Sequence, residues 1–314
     1  MVNRRFLRIK AMQALYSFFQ SEKNDLGKTE KELLLNIEKI YDLYIYIFSL
    51  LLEMHHSAKL QMEDARHKML PSQEDLNPNK KLIENSVLAA LADNQQLNKE
   101  ITNRKISWQN DLDLVRKVLN DVRQSEEYKS YMTSGKSDVS EDKDFIASVM
   151  ANIIAEHELL NYWLEEHNIH WADDVYIAFT TVIRSIENAD AKGKITLVPL
   201  YKDPVEDKLF VRELLTKCVI HNEEYEQMIS EKTKNWEVER IALMDVLLMK
   251  MALTEIMCFE SIPVKVSLNE YIELSKQYST PKSKMFINGI LDKIVLDLKK
   301  ENRISKTGRG LLET

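Results

Sequence analysis

The chain has 314 residues with only six glycines and six prolines, far fewer than this length usually carries, so its composition favours helix. Hydrophobic residues make up 44% and charged residues 30%, which excludes collagen-like and low-complexity classes. Two cysteines cannot form the disulfide framework of a small secreted domain. No stretch approaches the roughly 18 consecutive apolar residues of a membrane span. We therefore expect a cytoplasmic protein without a membrane segment.

Basic residues are concentrated at the two ends of the chain. Residues 1–20 carry four cations and no acid, and residues 276–310 carry nine cations and three acids, although the whole chain has a net charge of −7. If the two ends meet in the fold, they form a surface that binds a polyanion. The alternative is that these charges only serve solubility and form a solvated basic tail.

Apolar spacing predicts helices through most of the chain. Residues 3–20 and 30–69 each follow a helical pattern, and the second helix ends before Pro71. These two helices are followed by a loop at 71–80, helices at 80–100 and 106–131, a linker at 132–142, and helices at 142–168 and 171–188. Lys194–Leu200 is a candidate for a short extended piece, although Pro199 argues against a central strand.

The C-terminal part has the strongest helical periodicity. It predicts helices at residues 207–231, 236–258, 265–278 and 281–300. The second of these is apolar nearly all round, which is typical of the buried centre of a bundle. Gly289 lies inside the last helix, where glycine costs about 1 kcal/mol relative to alanine. We expect another helix to pack closely there, with the approach of a ligand as the alternative.

The first predicted helix has an unusual start. Helix N-termini carry a partial positive charge and favour acids, yet Arg4, Arg5 and Arg8 occupy the first turns. Each arginine should cost roughly a few tenths of a kcal/mol at this position. An anion from outside the helix would offset that cost.

No constellation of residues predicts catalysis, a metal site or a cofactor. Gly135–Ser137 resembles the end of a phosphate-binding loop, but position 130 is serine instead of the required glycine and no strand precedes it. Glu53 with His56, and the acids and histidines of Glu165–His170, lack the further ligands that a metal centre needs.

Two segments carry a specific pattern. Residues 4–17 read RRFLRIKAMQALYS, and residues 261–293 read SIPVKVSLNEYIELSKQYSTPKSKMFINGILDK, preceded by a buried helix containing WEVERIALMDVLLMKMALTEI. Together they resemble the NusB family of bacterial transcription antitermination factors. The C-terminal segment matches the family signature in register at Pro263, Lys265, Val266, Asn269, Glu270, Glu273, Leu274, Lys276, Phe286, Asn288, Gly289, Leu291 and Asp292.

The resemblance implies an all-α fold, a NusB-like helical bundle of two packed subdomains with an additional helical insertion. On this interpretation residues 1–20 are the first helix of the NusB-like domain, and residues 21–206 are a helical insertion of unknown role. Residues 207–300 are the remainder of the NusB-like domain, and residues 301–314 are a basic, disordered tail.

The resemblance also implies a function without catalysis. NusB proteins pair with ribosomal protein NusE, and the pair binds the single-stranded BoxA element of nascent ribosomal RNA. This binding helps the RNA polymerase antitermination complex to read through terminators and assists ribosome biogenesis. Many relatives form homodimers, so the resemblance leaves self-association open.

The family's RNA-binding positions fall on both ends of this chain. Arg4, Arg5 and Arg8 match basic positions that would neutralise RNA phosphates. Phe286 matches an aromatic residue that would stack on an unpaired base, although it fits the inner face of its helix equally well. The other candidates are a lysine on the preceding helix and three residues at a helix start that favours anions, namely Lys265, Lys282, Ser283 and Lys284.

One of these positions departs from the family pattern. Some relatives carry an acid where Lys282 stands, so we expect the lysine to strengthen phosphate contact and to loosen the choice of RNA sequence. Tyr16 and Asp245 match positions that face NusE. The alternatives are a core position for Tyr16, and Arg240 or Lys250 as an internal partner of Asp245. A lone acid on an apolar helix usually has a specific partner.

Two other functions compete with RNA-binding antitermination. One is a helical adaptor that binds proteins and has lost RNA binding. The other is the NusB-like domain of a ribosomal RNA methyltransferase, which the lack of a glycine-rich cofactor loop disfavours.

Overall fold

The computed structural model describes residues 1–233 and 242–312. In this part of the chain there are α-helices, short 3-10 and π segments and no strand, so the predicted all-α fold is confirmed. The described α-helices, α1 to α15 in chain order, span Arg4–Gln20, Leu26–Arg66, Gln73–Leu76, Ser86–Ala92, Gln95–Arg104, Leu112–Gln124, Glu126–Thr133, Val139–Val149, Glu158–His167, Val175–Glu187, Pro204–Ile220, Asn222–Thr233, Leu243–Cys258, Val264–Tyr278 and Ser283–Lys300. Among the described residues, no helix is long and apolar enough to span a membrane.

The chain folds into two compact units. The central unit consists of Met1 and Glu38–Leu200, and the terminal unit consists of Val2–Ile37 and Tyr201–Thr314. The long helix α2 contributes its first turns to the terminal unit and the rest to the central unit. The terminal unit therefore brings together both basic ends of the sequence.

Helix α13 forms the centre of the terminal unit. Almost every side chain from Leu247 to Ile256 is buried, as its apolar sequence predicts. Helices α1, α11, α12, α14 and α15 all pack against it. The start predicted for this helix, at Trp236, lies outside the described residues, and the described helix begins at Leu243.

A buried ion pair joins α1 to α13. Nε and Nη2 of Arg8 donate to the carboxylate of Glu255 at 2.8 and 2.7 Å, and the two side chains are 4% and 0% exposed. Ser267 and Tyr271 of α14 donate to the same carboxylate at 2.7 and 3.1 Å. Burial alone would lower the pKa of Arg8, but the hydrogen bonds and charge of Glu255 raise it. The Arg8 charge is therefore held inside the core.

Capping side chains divide several predicted helices. The helix predicted at residues 80–100 is interrupted at Asn94, whose Oδ1 accepts from the N–H of Leu97 at 3.1 Å. The helix predicted at 106–131 is interrupted at Ser125, whose Oγ accepts an N–H three residues on at 3.1 Å. The predictions were wrong in length because a polar side chain that satisfies the next helix start outweighs continuous apolar spacing.

Two further long predictions were also wrong. The helix predicted at 142–168 contains a π-helical turn at Met150–Ile154 and starts again after His157, whose Nδ1 accepts from the backbone three residues on. The helix predicted at 207–231 ends at Ile220, and α12 begins after His221. Apolar spacing is similar across each interruption, so it does not reveal the change in direction.

Two short segments differ from their predictions as well. The loop predicted at 71–80 includes the single turn α3. Lys194–Leu200 is irregular and pairs with no strand in the described part of the chain. Side chains hold it instead, because Asn94 Nδ2 donates to the carbonyl of Ile195 at 2.9 Å, and Tyr44 accepts a backbone N–H of the same segment at 3.2 Å.

The C-terminal tail contacts the segment that follows α13. Lys306 Nζ donates at 2.9 Å to the carbonyl of Phe259, the residue directly after α13. Gly310 lies so close to the carbonyl of Glu260 that an added Cβ would be 1.9 Å from the oxygen. The tail therefore supplies hydrogen-bond donors to the carbonyls just after α13, from Lys306 to Phe259 and from the N–H of Thr307 to Glu260 at 3.0 Å.

Gly289, unlike Gly310, lies in open surroundings. An added Cβ would meet no atom within 4 Å, and the residue lies on an exposed face of α15. The expectation that a helix packs against Gly289 is therefore wrong, and this face of α15 is open.

We predict that Glu255→Gln lowers the free energy of unfolding by about 3–5 kcal/mol, because it leaves the Arg8 charge buried without a counter-charge. Urea unfolding followed by circular dichroism measures the change. The matched control is Glu273→Gln, which alters a surface carboxylate paired with Lys276 and should leave the unfolding midpoint nearly unchanged. Equal destabilisation by both variants would contradict a core role for Glu255.

We predict that alanine has opposite effects at two glycines. Gly310→Ala should destabilise by roughly 1–3 kcal/mol, because the new Cβ forces the tail away from Glu260. Gly289→Ala should stabilise by about 1 kcal/mol, because alanine is the better helix former and the space is open. Thermal unfolding of both variants tests this, and an unchanged Gly310→Ala protein would show that the tail does not pack as described.

Candidate nucleic-acid interface

The arginines at the start of α1 all have acidic partners within the terminal unit. Nε and Nη2 of Arg5 donate to Glu270 of α14 at 3.0 and 2.8 Å. Arg4 lies 3.1 Å from Asp207 of α11, while Arg8 holds Glu255. The anion that the arginine-rich helix start was expected to need from outside is therefore supplied by three neighbouring helices.

The three arginines differ in their access to solvent. The side chains of Arg4 and Arg5 are 38% and 50% exposed, so each keeps guanidinium surface free for a further contact. Arg8 is buried, and its remaining nitrogen, Nη1, lies 3.3 Å from Glu270. A phosphate could reach Arg8 only if the core ion pair opened. Arg8 therefore lacks the accessible guanidinium that the predicted RNA contact requires.

The two basic ends of the chain come together along α14. The pKa of Glu273 is lowered first by its hydrogen bond to Lys276, and also by the charges of Arg5 and Lys284. The pKa of Glu270 is likewise lowered, first by its hydrogen bond to Arg5. The first turn of α1 and the first turn of α15 therefore lie within electrostatic range of the same carboxylate.

A hydroxyl cluster around Asp245 fixes the start of α15. Oδ1 of Asp245 accepts from Ser279 Oγ at 2.5 Å, and Oδ2 accepts from Ser283 Oγ at 2.8 Å. Ser283 also accepts from the N–H of Thr280 at 3.2 Å. Asp245 and Ser283 are both buried, so Asp245 has internal partners other than the predicted Lys250. Its other predicted partner, Arg240, lies outside the described residues.

The lysines near this cluster are open to solvent. Lys282 and Lys284 flank Ser283, Lys265 lies in the first turn of α14, and all three are exposed. None of them makes an ion pair within the described ranges. The cap residue Lys282 makes no side-chain hydrogen bond to the first turn of α15. That helix start therefore presents backbone N–H groups together with two ammonium groups.

The remaining predicted residues occupy partly exposed positions. Phe286 is half-buried on α15, which agrees with both its stacking and its packing interpretation. Met285 beside it is 75% exposed, and Gly289 follows on the open face. Tyr16 is exposed on α1, so its predicted core position is not the one observed.

Glu255, Glu270 and Ser279 shape this site, although their roles were not predicted from the sequence. Glu255 is an acid on the same apolar helix as Asp245, so the signal that singled out Asp245 applied to it as well. Glu270 belongs to the matched family signature, but no role followed from its position there. The hydroxyl of Ser279 donates to Asp245, and α15 begins at Ser283, later than the predicted start at residue 281.

Comparison with known proteins identifies one family. The NusB family model matches residues 177–296. Proteins named transcription antitermination protein NusB match from three organisms. The Salinibacter ruber protein is 45% identical over 115 residues, 37% of this chain and 71% of the relative. The Chloroherpeton thalassium protein is 36% identical over 35% of this chain and 52% of the relative. The Natranaerobius thermophilus protein is 32% identical over 29% of this chain and 66% of the relative.

No solved structure matches the chain. The segment that matches the family model begins at residue 177, earlier than the 207 expected from the resemblance, and it does not include α1. The aligned region covers most of the Salinibacter ruber relative at high identity. The chain therefore belongs to the NusB family.

Proposed function

We propose that this protein is an RNA-binding transcription antitermination factor. Together with ribosomal protein NusE it binds BoxA of nascent ribosomal RNA, and in the RNA polymerase antitermination complex it promotes read-through and ribosome biogenesis. It acts in the cytoplasm by binding and not by catalysis. The names of the relatives support the antitermination role.

One observation carries the RNA-binding part of the proposal. Lys282 and Lys284 are exposed beside the uncapped start of α15, and neither makes a close ion pair with a carboxylate within the described residues. Other cations near them, Arg5 above all, already have acidic partners. Because unpaired cations gain most from a phosphate, the start of α15 is where RNA contact is most favourable.

Each remaining residue has a place in this proposal. Backbone N–H groups at the start of α15 donate to a phosphate that lies between Lys282 and Lys284. Arg4, Arg5 and Lys265 contact flanking phosphates. Phe286, which is half-buried, stacks on an unpaired base. Ser283 and Asp245 hold the helix start in position from inside the fold, and the exposed Tyr16 contacts NusE.

A helical adaptor without RNA binding is the second candidate, and one observation favours it. All three arginines at the start of α1 are engaged by acids of the fold itself, which reduces the charge available to RNA. The two candidates differ in the role of Lys282 and Lys284, which contact RNA in the first and do not in the second.

The deciding experiment is a titration of fluorescent BoxA RNA and of a scrambled RNA, with and without NusE, at two salt concentrations. Salt-sensitive binding that prefers BoxA and tightens with NusE supports the proposal. Weak, equal binding of both RNAs with no response to NusE would leave the adaptor as the better description.

We predict that Lys282→Glu with Lys284→Glu weakens RNA affinity about tenfold or more. The slope of log affinity against log salt concentration should fall by about 1.4, the value for two phosphate contacts on a single strand. Lys23→Glu with Lys31→Glu is the matched control, since it changes the charge equally at exposed lysines before and on α2. The same loss in the control would mean that net charge, and not the start of α15, governs binding.

A further inference from the structure

The central unit contains a groove that the proposed RNA interface does not use. It lies between α9, α10 and the π-helical turn Met150–Ile154, and its volume is about 470 Å³. Ala155, Phe179 and Ile183 contribute to an apolar lining. Tyr176 lines the same groove and is 79% exposed. A large aromatic side chain left open beside an apolar groove is a feature of binding surfaces.

The groove lies in the most acidic part of the unit. Residues 150–183 contain six acids and no lysine or arginine. Two of these acids, Glu156 and Glu165, line the groove itself. Neither makes a hydrogen bond or ion pair with any residue that the structure describes. The groove therefore combines apolar surface with two uncompensated negative charges.

Asn161 adds a polar group to this lining. Its Nδ2 donates at 2.9 Å to the carbonyl of Ala155, directly after the π-helical turn. Its Oδ1 is buried and has no hydrogen-bond partner among the described residues. The fold thus leaves an acceptor unsatisfied beside the groove, and π-helical turns are frequent at functional sites.

We propose that this groove binds a cationic amphipathic segment of a partner protein. An apolar side chain of the segment packs on Phe179 and Ile183 beside Tyr176, and its lysines or arginines pair with Glu156 and Glu165. The charge pattern selects this occupant, because the carboxylates that attract a basic peptide repel RNA phosphates. An amphipathic helix laid into an apolar groove is a common mode of peptide recognition.

The test uses the full chain and a fluorescein-labelled peptide with leucine and lysine at helical spacing. The control peptide carries glutamate in place of every lysine. Fluorescence anisotropy should show binding of the lysine peptide alone. Glu156→Lys with Glu165→Lys, or Tyr176→Ala, should weaken that binding about tenfold. Glu84→Lys with Asp113→Lys changes the net charge equally at exposed positions and should change the affinity less than about twofold.

Several outcomes would overturn the proposal. No binding of the lysine peptide, or equal binding of both peptides, would exclude a cationic segment as the occupant of the groove. Equal loss in both double variants would show attraction by net charge alone. A groove variant that dissociates a dimer of the chain in sedimentation would identify a second copy as the occupant. Binding of BoxA RNA should be unchanged in Glu156→Lys with Glu165→Lys, which separates this inference from the proposed function.

Discussion

The buried pair of Arg8 and Glu255 is the interaction on which the terminal unit depends. It joins α1 to α13, and the hydroxyls of Ser267 and Tyr271 bring α14 to the same carboxylate. A buried ion pair is weak evidence for net stability, because desolvation offsets the attraction. The effect of this pair is to fix how α1 aligns with α13 and α14. Three side chains make four hydrogen bonds to one carboxylate, so α1 has one register against its neighbours.

That register determines which cations are left for a ligand. With Arg8 in the core, Arg5 reaches Glu270 and Arg4 reaches Asp207, so the arginine-rich helix start is largely neutralised within the fold. Asp245 accepts from the hydroxyls of Ser279 and Ser283, and Lys282 and Lys284 lie exposed on either side of Ser283. The interface therefore divides into residues that hold the helices and residues that remain available to RNA.

The sequence predicted the helices and the central position of α13 because apolar spacing and an all-round apolar surface are local properties. It could not distinguish Arg8 from Arg5, since the difference lies in Glu255, which is 247 residues away in the chain. The same limit explains why the partners of Asp245 were not predicted: they are Ser279, directly after α14, and Ser283, the first residue of α15. Helix interruptions at Asn94 and Ser125 were missed because either residue is also tolerated on an exposed helix face.

The most direct test of the central claim is to neutralise the core pair and measure RNA binding. Arg8→Met with Glu255→Gln removes both charges and keeps an acceptor for Ser267 and Tyr271. Circular dichroism at low temperature first establishes that the variant is folded. Methionine at position 8 and glutamine at position 255 have volumes close to those of the native side chains and retain the packing that sets the register of α1. We therefore predict that BoxA affinity and its salt dependence match those of the unaltered protein. A folded variant that loses RNA binding with a reduced salt slope would show that Arg8 itself contacts phosphate, and would contradict the account.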